Sequence, residues 1–167
     1  MKILILYISL TGRTKSFAES IAEMLESHDV RIEQFFYSKK GRDLIKEQEK
    51  IKNGDLSSIS YKKDIEDLGA YDLVFFGTPV HGGQPAVIFF GYMQLVKNIK
   101  EKNFVLFATG RFTKGKTFKV MQSNIEKKGG SVVGEKLIKS LFKIKRLKIK
   151  KYTKELIQEL NNLNIIQ

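Results

Sequence analysis

The chain has no cysteine among its 167 residues, and that absence closes several chemistries at once. Disulfides, thiolate nucleophiles, zinc–cysteine centres and cysteine-ligated iron–sulfur clusters are all excluded. Histidine is scarce, with only His28 and His81 present. A multi-histidine metal site is not expected, so any redox activity would need a bound organic cofactor. Long hydrophobic runs are missing too. The apolar stretch Lys2 to Ile8 follows the first methionine and stops at a turn, with no small-residue cleavage site. It is too short for a membrane span and does not read as a signal peptide, which makes the cytoplasm the expected location.

What is present suits a single globular domain. Hydrophobic residues make up 42% and charged residues 29%, a balance that supports a packed core. No internal repeat, low-complexity tract or second domain is visible. The formal net charge is +12. Most of it falls in residues 139–154, which hold Lys139, Lys143, Lys145, Arg146, Lys148, Lys150, Lys151 and Lys154 and no acid. Interleaved Phe142, Ile144, Leu147 and Ile149 suit a strand end, a turn and a helix start with one solvated face. The same run could meet an acidic protein partner, nucleic acid phosphates or an anionic membrane surface. A basic α/β domain that binds nucleic acid or an acidic partner is therefore the alternative function. The run has little aromatic interleaving and no recognition motif, so nucleic acid is not the expected ligand.

Apolar runs alternate with amphipathic ones along the chain. Strands are expected at Lys2–Ile8, Asp29–Tyr37, Tyr71–Gly77, Asn103–Thr109 and from Ser131 to about Ile138. The first, third and fourth are apolar almost throughout, the pattern of strands buried on both faces. Helices are expected at Lys15–Glu26, with Phe17, Ile21, Met24 and Leu25 as its buried stripe, and at Arg42–Lys52, with Leu44, Ile45 and Ile51. Three more are expected at Ala86–Ile99 behind Pro85, at Lys116–Lys128 and at Lys151–Leu163. Leu56 to Leu68 reads as loop with a short helix. Such alternation predicts an α/β fold: a doubly wound, five-stranded parallel sheet in the order 2-1-3-4-5, with helices on both faces. Ligands of that arrangement sit at the carboxyl ends of the strands, where the winding reverses.

Three expected loops share that edge. They are Ser9-Leu10-Thr11-Gly12-Arg13-Thr14 after strand 1, Thr78-Pro79-Val80-His81-Gly82-Gly83-Gln84 after strand 3, and Thr109-Gly110-Arg111-Phe112-Thr113-Lys114-Gly115 after strand 4. All are rich in glycine and hydroxyl residues. Strand, hydroxyl-rich turn and helix make a geometry that holds a phosphate, because the free amides and the dipole of the helix start both favour an anion. Gly12 suits close backbone approach. A simpler reading is that the hydroxyls only cap the helix.

Ser9-Leu10-Thr11-Gly12-Arg13-Thr14 resembles the phosphate-binding motif of the flavodoxin family. Tyr71 to Gly83 resembles that family's third strand and first flavin loop, and Phe107 to Arg111 its fourth strand and second flavin loop. The resemblance spans essentially the whole chain and implies noncovalent flavin mononucleotide (FMN). Ser9, Thr11 and Thr14, with Gly12, Arg13 and the neighbouring amides, would hold its phosphate. Thr78, Pro79, Val80, His81, Gly82 and Gly83 would meet the isoalloxazine ring on one side, and Thr109, Gly110, Arg111, Phe112 and Gly115 on the other. His81 stands where the family often has a stacking aromatic residue. Phe112 is a second stacking candidate or an anchor of its loop. Arg111 and Lys114 lie near the flavin or are exposed charges. The flavin carries the electron chemistry, so no catalytic side chain and no metal are implied.

Two relatives of this architecture are excluded. A receiver domain needs acids at the ends of strands 1 and 3, where this chain has Ile8-Ser9 and Gly77-Thr78. A nucleotide triphosphatase needs a lysine where Gly12-Arg13-Thr14-Lys15-Ser16 has Thr14. The expected function is an FMN-binding redox protein that transfers electrons with a partner protein or reduces a quinone-like small-molecule acceptor. The carrier shuttles of the family tend to be acidic, so the positive charge inverts their docking logic.

Overall fold

A computed structural model describes residues 1–38, 42–141 and 144–166. Among the described residues seven strands and five α-helices follow one another: β1 (Lys2–Ile8), α1 (Arg13–Met24), β2 (Asp29–Tyr37), α2 (Arg42–Lys52), β3 (Ile59–Ser60), β4 (Leu73–His81), β5 (Gln84–Pro85), α3 (Ile88–Leu95), β6 (Asn103–Gly110), α4 (Thr117–Glu126), β7 (Ser131–Lys139) and α5 (Arg146–Asn162). One sheet runs β3-β2-β1-β4-β6-β7, with β5 paired to β4. The five long strands are mutually parallel and reproduce the expected 2-1-3-4-5 winding.

Alternating side chains of the apolar strands serve two cores. Leu4, Leu6, Val74, Phe76, Phe104 and Leu106 face α3 and α4, where Phe89, Tyr92, Phe118, Met121 and Ile125 meet them. Ile3, Ile5, Leu73, Phe75, Val105 and Phe107 face α1 and α5, through Phe17, Ile21, Leu25, Leu156 and Leu160. Phe17 sets its ring edge-on to Phe107 at 5.2 Å. Both faces are thus covered, which is why the strands carry no solvent-facing alternation.

The structure corrects several boundaries. Pro85 is not a first helical residue: it lies in β5, paired with Val80, and α3 starts only at Ile88. The stretch after the third strand is therefore a β-hairpin, with β4 running on through His81 and turning at Gly82-Gly83. Met24 and Leu163 are exposed rather than buried, as are Ile32 and Phe36 of β2, whose buried aromatic is Phe35. The least readable segment holds strand β3, antiparallel to β2, and a 3₁₀ turn at Lys63–Glu66. Helix α5 begins five residues earlier than expected, so Arg146 to Lys150 of the basic run are helical. Phe142 and Lys143 lie outside the described residues, as do the side chains of Leu44 and Ile45.

Candidate functional site

The winding reverses between β1 and β4, and the register there places Tyr7 beside Gly77 and Pro79 beside Thr109. The segments that leave β1, β4 and β6 therefore open at one edge. Between them lies a cavity of about 590 Å³, lined by residues from all three. That volume suits a nucleotide-sized ligand.

From the first loop, Thr11, Arg13 and Thr14 line the cavity, whereas Ser9 and Gly12 do not. Gly12 takes φ +79°, a left-handed conformation that favours glycine, and α1 starts directly after it. No side chain caps α1, so the simpler capping reading of the hydroxyls does not hold. The amides of the first helical turn have no intrahelical acceptor and remain available to an anion. Ser9 Oγ is buried and has no hydrogen-bond partner among the described residues. Thr14 is buried, and its Oγ1 lies 2.9 Å from Thr109 Oγ1, a bond that ties the first loop to the third. The Arg13 guanidinium donates to the carbonyls of Ser140 and Leu141 at 3.3 and 3.4 Å.

From the hairpin, Pro79, Val80, His81, Gly82 and Gly83 line the opposite wall. Thr78 does not. It is fully buried, accepts the Ala86 N–H at 2.9 Å and donates to the Pro79 carbonyl, so it fixes the hairpin instead. His81 is exposed as a residue, yet partial desolvation lowers its pKa below 6.5. Burial therefore favours the neutral ring.

From the third loop, Thr109, Gly110, Arg111 and Phe112 line the cavity, with Phe112 71% exposed at its mouth. Gly115 does not line it. A Cβ there would lie 2.4 Å from Gly83 Cα, and the next amide, Lys116 N–H, donates to the Gly83 carbonyl at 2.8 Å. The two loops are latched back to back at this pair of glycines. Lys114 turns away to pair with Glu135 on β7.

Two lining residues were not anticipated, Leu10 and Thr113. Leu10 is half exposed, and an apolar side chain held in solvent within a polar turn is the only signal that marks it. Among the described residues no group of acids and histidines could hold a metal ion. None of the described helices is long and apolar enough to cross a membrane.

The sheet's winding reverses between its first and third long strands, which defines the doubly wound α/β class. Within that class the chain has the flavodoxin-like fold. Its structure is similar to a Lactobacillus acidophilus flavoprotein solved in complex with FMN, with a TM-score of 0.57 and 23% identity over 81% of this chain and 92% of that one. It is similar to an archaeal flavodoxin, with a TM-score of 0.57 and 15% identity over 98% and 99%. The two-electron reduced Megasphaera elsdenii flavodoxin gives 0.55 and 17% over 91% and 98%. No family model and no curated protein matches the sequence.

Proposed function

We propose that the chain binds FMN noncovalently in the cavity between the three loops and works as a redox protein. The observation that carries this reading is the turn between β1 and α1, at the edge where the cavity opens. An uncapped helix start, a left-handed Gly12 and a buried Ser9 hydroxyl with no partner among the described residues are grouped there. Each is a feature that a dianionic phosphate would satisfy. A solved structure of similar fold does hold FMN.

In this reading Ser9, Thr11 and the amides that follow Gly12 hold the phosphate, and Arg13 fixes the loop by its bonds to Ser140 and Leu141. The His81 hairpin and the Arg111–Phe112 segment flank the ring. Bound flavin supplies one- and two-electron transfer. The Arg111 cation favours negative charge in its neighbourhood, and so stabilises the reduced form. Neutral His81 offers a flat polar surface without competing charge. Electrons leave to a redox partner protein or to a quinone-like acceptor. Residues 139–154 would receive an acidic partner.

The test is retention. Protein incubated with excess FMN and dialysed should stay yellow and quench flavin fluorescence; colourless protein with unquenched flavin in the dialysate overturns the reading. Steady-state NAD(P)H oxidation with a quinone then separates the two roles, because a carrier shows almost none without a reductase.

A further inference from the structure

A second cavity, of about 570 Å³, lies on the other side of the hairpin, and it shares only Leu10 and His81 with the first. Its walls come from different elements: the end of β2, the last turns of α2, β5, and the beginnings of α3 and α4. Pro85, Val87, Phe90 and Val120 make it apolar. Onto that lining are set four hydrogen-bond donors, Tyr37, Gln48, Lys52 and Gln84. The Tyr37 hydroxyl has no hydrogen-bond partner among the described residues, and burial pushes its pKa up to about 12. It therefore stays a neutral O–H donor throughout the physiological range. Among the described residues Glu49 is the single acid in the lining.

An apolar cavity lined by Phe90, with several donors that have no partner among the described residues and little negative charge, selects an aromatic ligand that brings oxygen acceptors. A hydrocarbon would leave the donors unpaired, and a polyanion would meet Glu49 and too few cations. We infer that this second cavity is a binding site for a small planar aromatic carbonyl compound, whose oxygens take hydrogen bonds from Tyr37 and the Gln48–Gln84 side. His81 lines both cavities, so such a ligand would share that side chain with the occupant of the first. An acceptor could then be held beside the proposed flavin without displacing it. Only this last consequence rests on the flavin reading; the site itself does not.

The full chain, uniformly ¹⁵N-labelled, is titrated with 1,4-naphthoquinone and separately with naphthalene, each with and without saturating FMN. Naphthoquinone should move the side-chain amide signals of Gln48 and Gln84 in both conditions. Naphthalene, which offers no oxygen, should bind about tenfold more weakly. Tyr37→Phe should weaken naphthoquinone about fivefold and leave naphthalene unchanged. Val120→Trp, which fills the slot from α4, should abolish both. Its signal dispersion and its FMN titration report whether the fold is kept, since Val120 does not line the first cavity. Equal affinities for the two probes overturn the inference, as does an absence of shifts at millimolar naphthoquinone. So do shifts confined to Thr11, Gly110 and Arg111. Loss of FMN binding with the Gln48 and Gln84 shifts retained would sink the flavin reading and leave this one standing.

Discussion

The clearest residue-level contrast is between two buried hydroxyls that the sequence presents alike. Ser9 Oγ is buried with no partner among the described residues, whereas Thr78 Oγ1 accepts from one backbone amide and donates to one carbonyl. A buried hydroxyl without a partner lowers stability, so Ser9→Ala should leave the melting temperature of flavin-free protein unchanged or slightly higher. In the proposed FMN complex the same substitution removes a donor to the phosphate, a bond worth about 1.5–3 kcal/mol, so FMN affinity should drop about 10- to 100-fold. Thr78→Val should do the reverse. It strands the Ala86 N–H at a cost of about 1–3 kcal/mol, at a residue that does not itself line the cavity. Thermal melts and fluorescence titrations of both variants check the pair; a Ser9→Ala protein that binds FMN like the parent removes Ser9 from the phosphate grip. His81 adds a pH dependence. Its folded pKa lies below the unfolded 6.5, so the unfolded chain takes up a proton first as pH falls. The contribution of neutral His81 is complete above pH 6.5 and is lost as pH drops through the folded value. A ¹H–¹⁵N titration of the His81 ring should give a midpoint below 6.5, and a midpoint above it contradicts the desolvation.

At the scale of elements, the loops were placed correctly by hydrophobic pattern, and their internal structure was not. Continuous apolar runs at Lys2–Ile8 and Asn103–Thr109 can only be strands covered on both faces, so their ends, and hence the site edge, were legible. Pro85 was misread because proline before an apolar run is a helix-start signal, yet it also fits the outer partner of a hairpin, where its missing N–H is harmless. Only the pairing of Val80 with Pro85 decides between them, and pairing is not local information. Likewise Thr109 was anticipated at the site, but its bond to Thr14 joins residues 95 apart in sequence. The latch between the hairpin and the third loop is of the same non-local kind. Gly82 and Gly115 have similar positive φ angles, +55° and +51°, but Gly82 has open space around its missing Cβ while Gly115 would strike Gly83. Gly82→Ala should therefore carry only the left-handed penalty of about 1–2 kcal/mol. Gly115→Ala should lose more stability than that, and weaken FMN binding as well, because the loops must separate. Paired melts and flavin titrations test this, and equal losses for the two variants would mean that the latch does not hold the cavity shut.

For the whole molecule the governing quantity is charge. The net +12 is partly compensated away from the cavity: Glu23 lies 3.8 Å from Arg146 and 3.6 Å from Lys150, and Glu155 and Glu159 both hold Lys136. No such acid reaches Arg13 or Arg111 at the cavity itself among the described residues. The start of the basic run is fastened to the same place. The Ser140 N–H donates to the Gly110 carbonyl at 2.9 Å, Arg13 donates to the carbonyls of Ser140 and Leu141, and Lys148 Nζ donates to the Lys139 carbonyl at 2.6 Å. Two cations without an acid partner among the described residues, Arg13 and Arg111, thus line a cavity proposed to receive a dianionic phosphate. Over a Debye length of about 10 Å at 0.1 M salt, the nearer cations act on that phosphate while distant ones are screened. FMN and riboflavin share the ring and differ in the phosphate, so their salt responses separate the two contributions. Raising salt from about 0.05 to about 0.5 M should weaken FMN by roughly tenfold and leave the weaker riboflavin binding nearly unchanged. Fluorescence titrations at the two salt concentrations give both constants. Parallel responses of the two ligands would mean that the ring, not the phosphate turn, carries recognition, and the role given to Ser9–Thr14 would then be wrong.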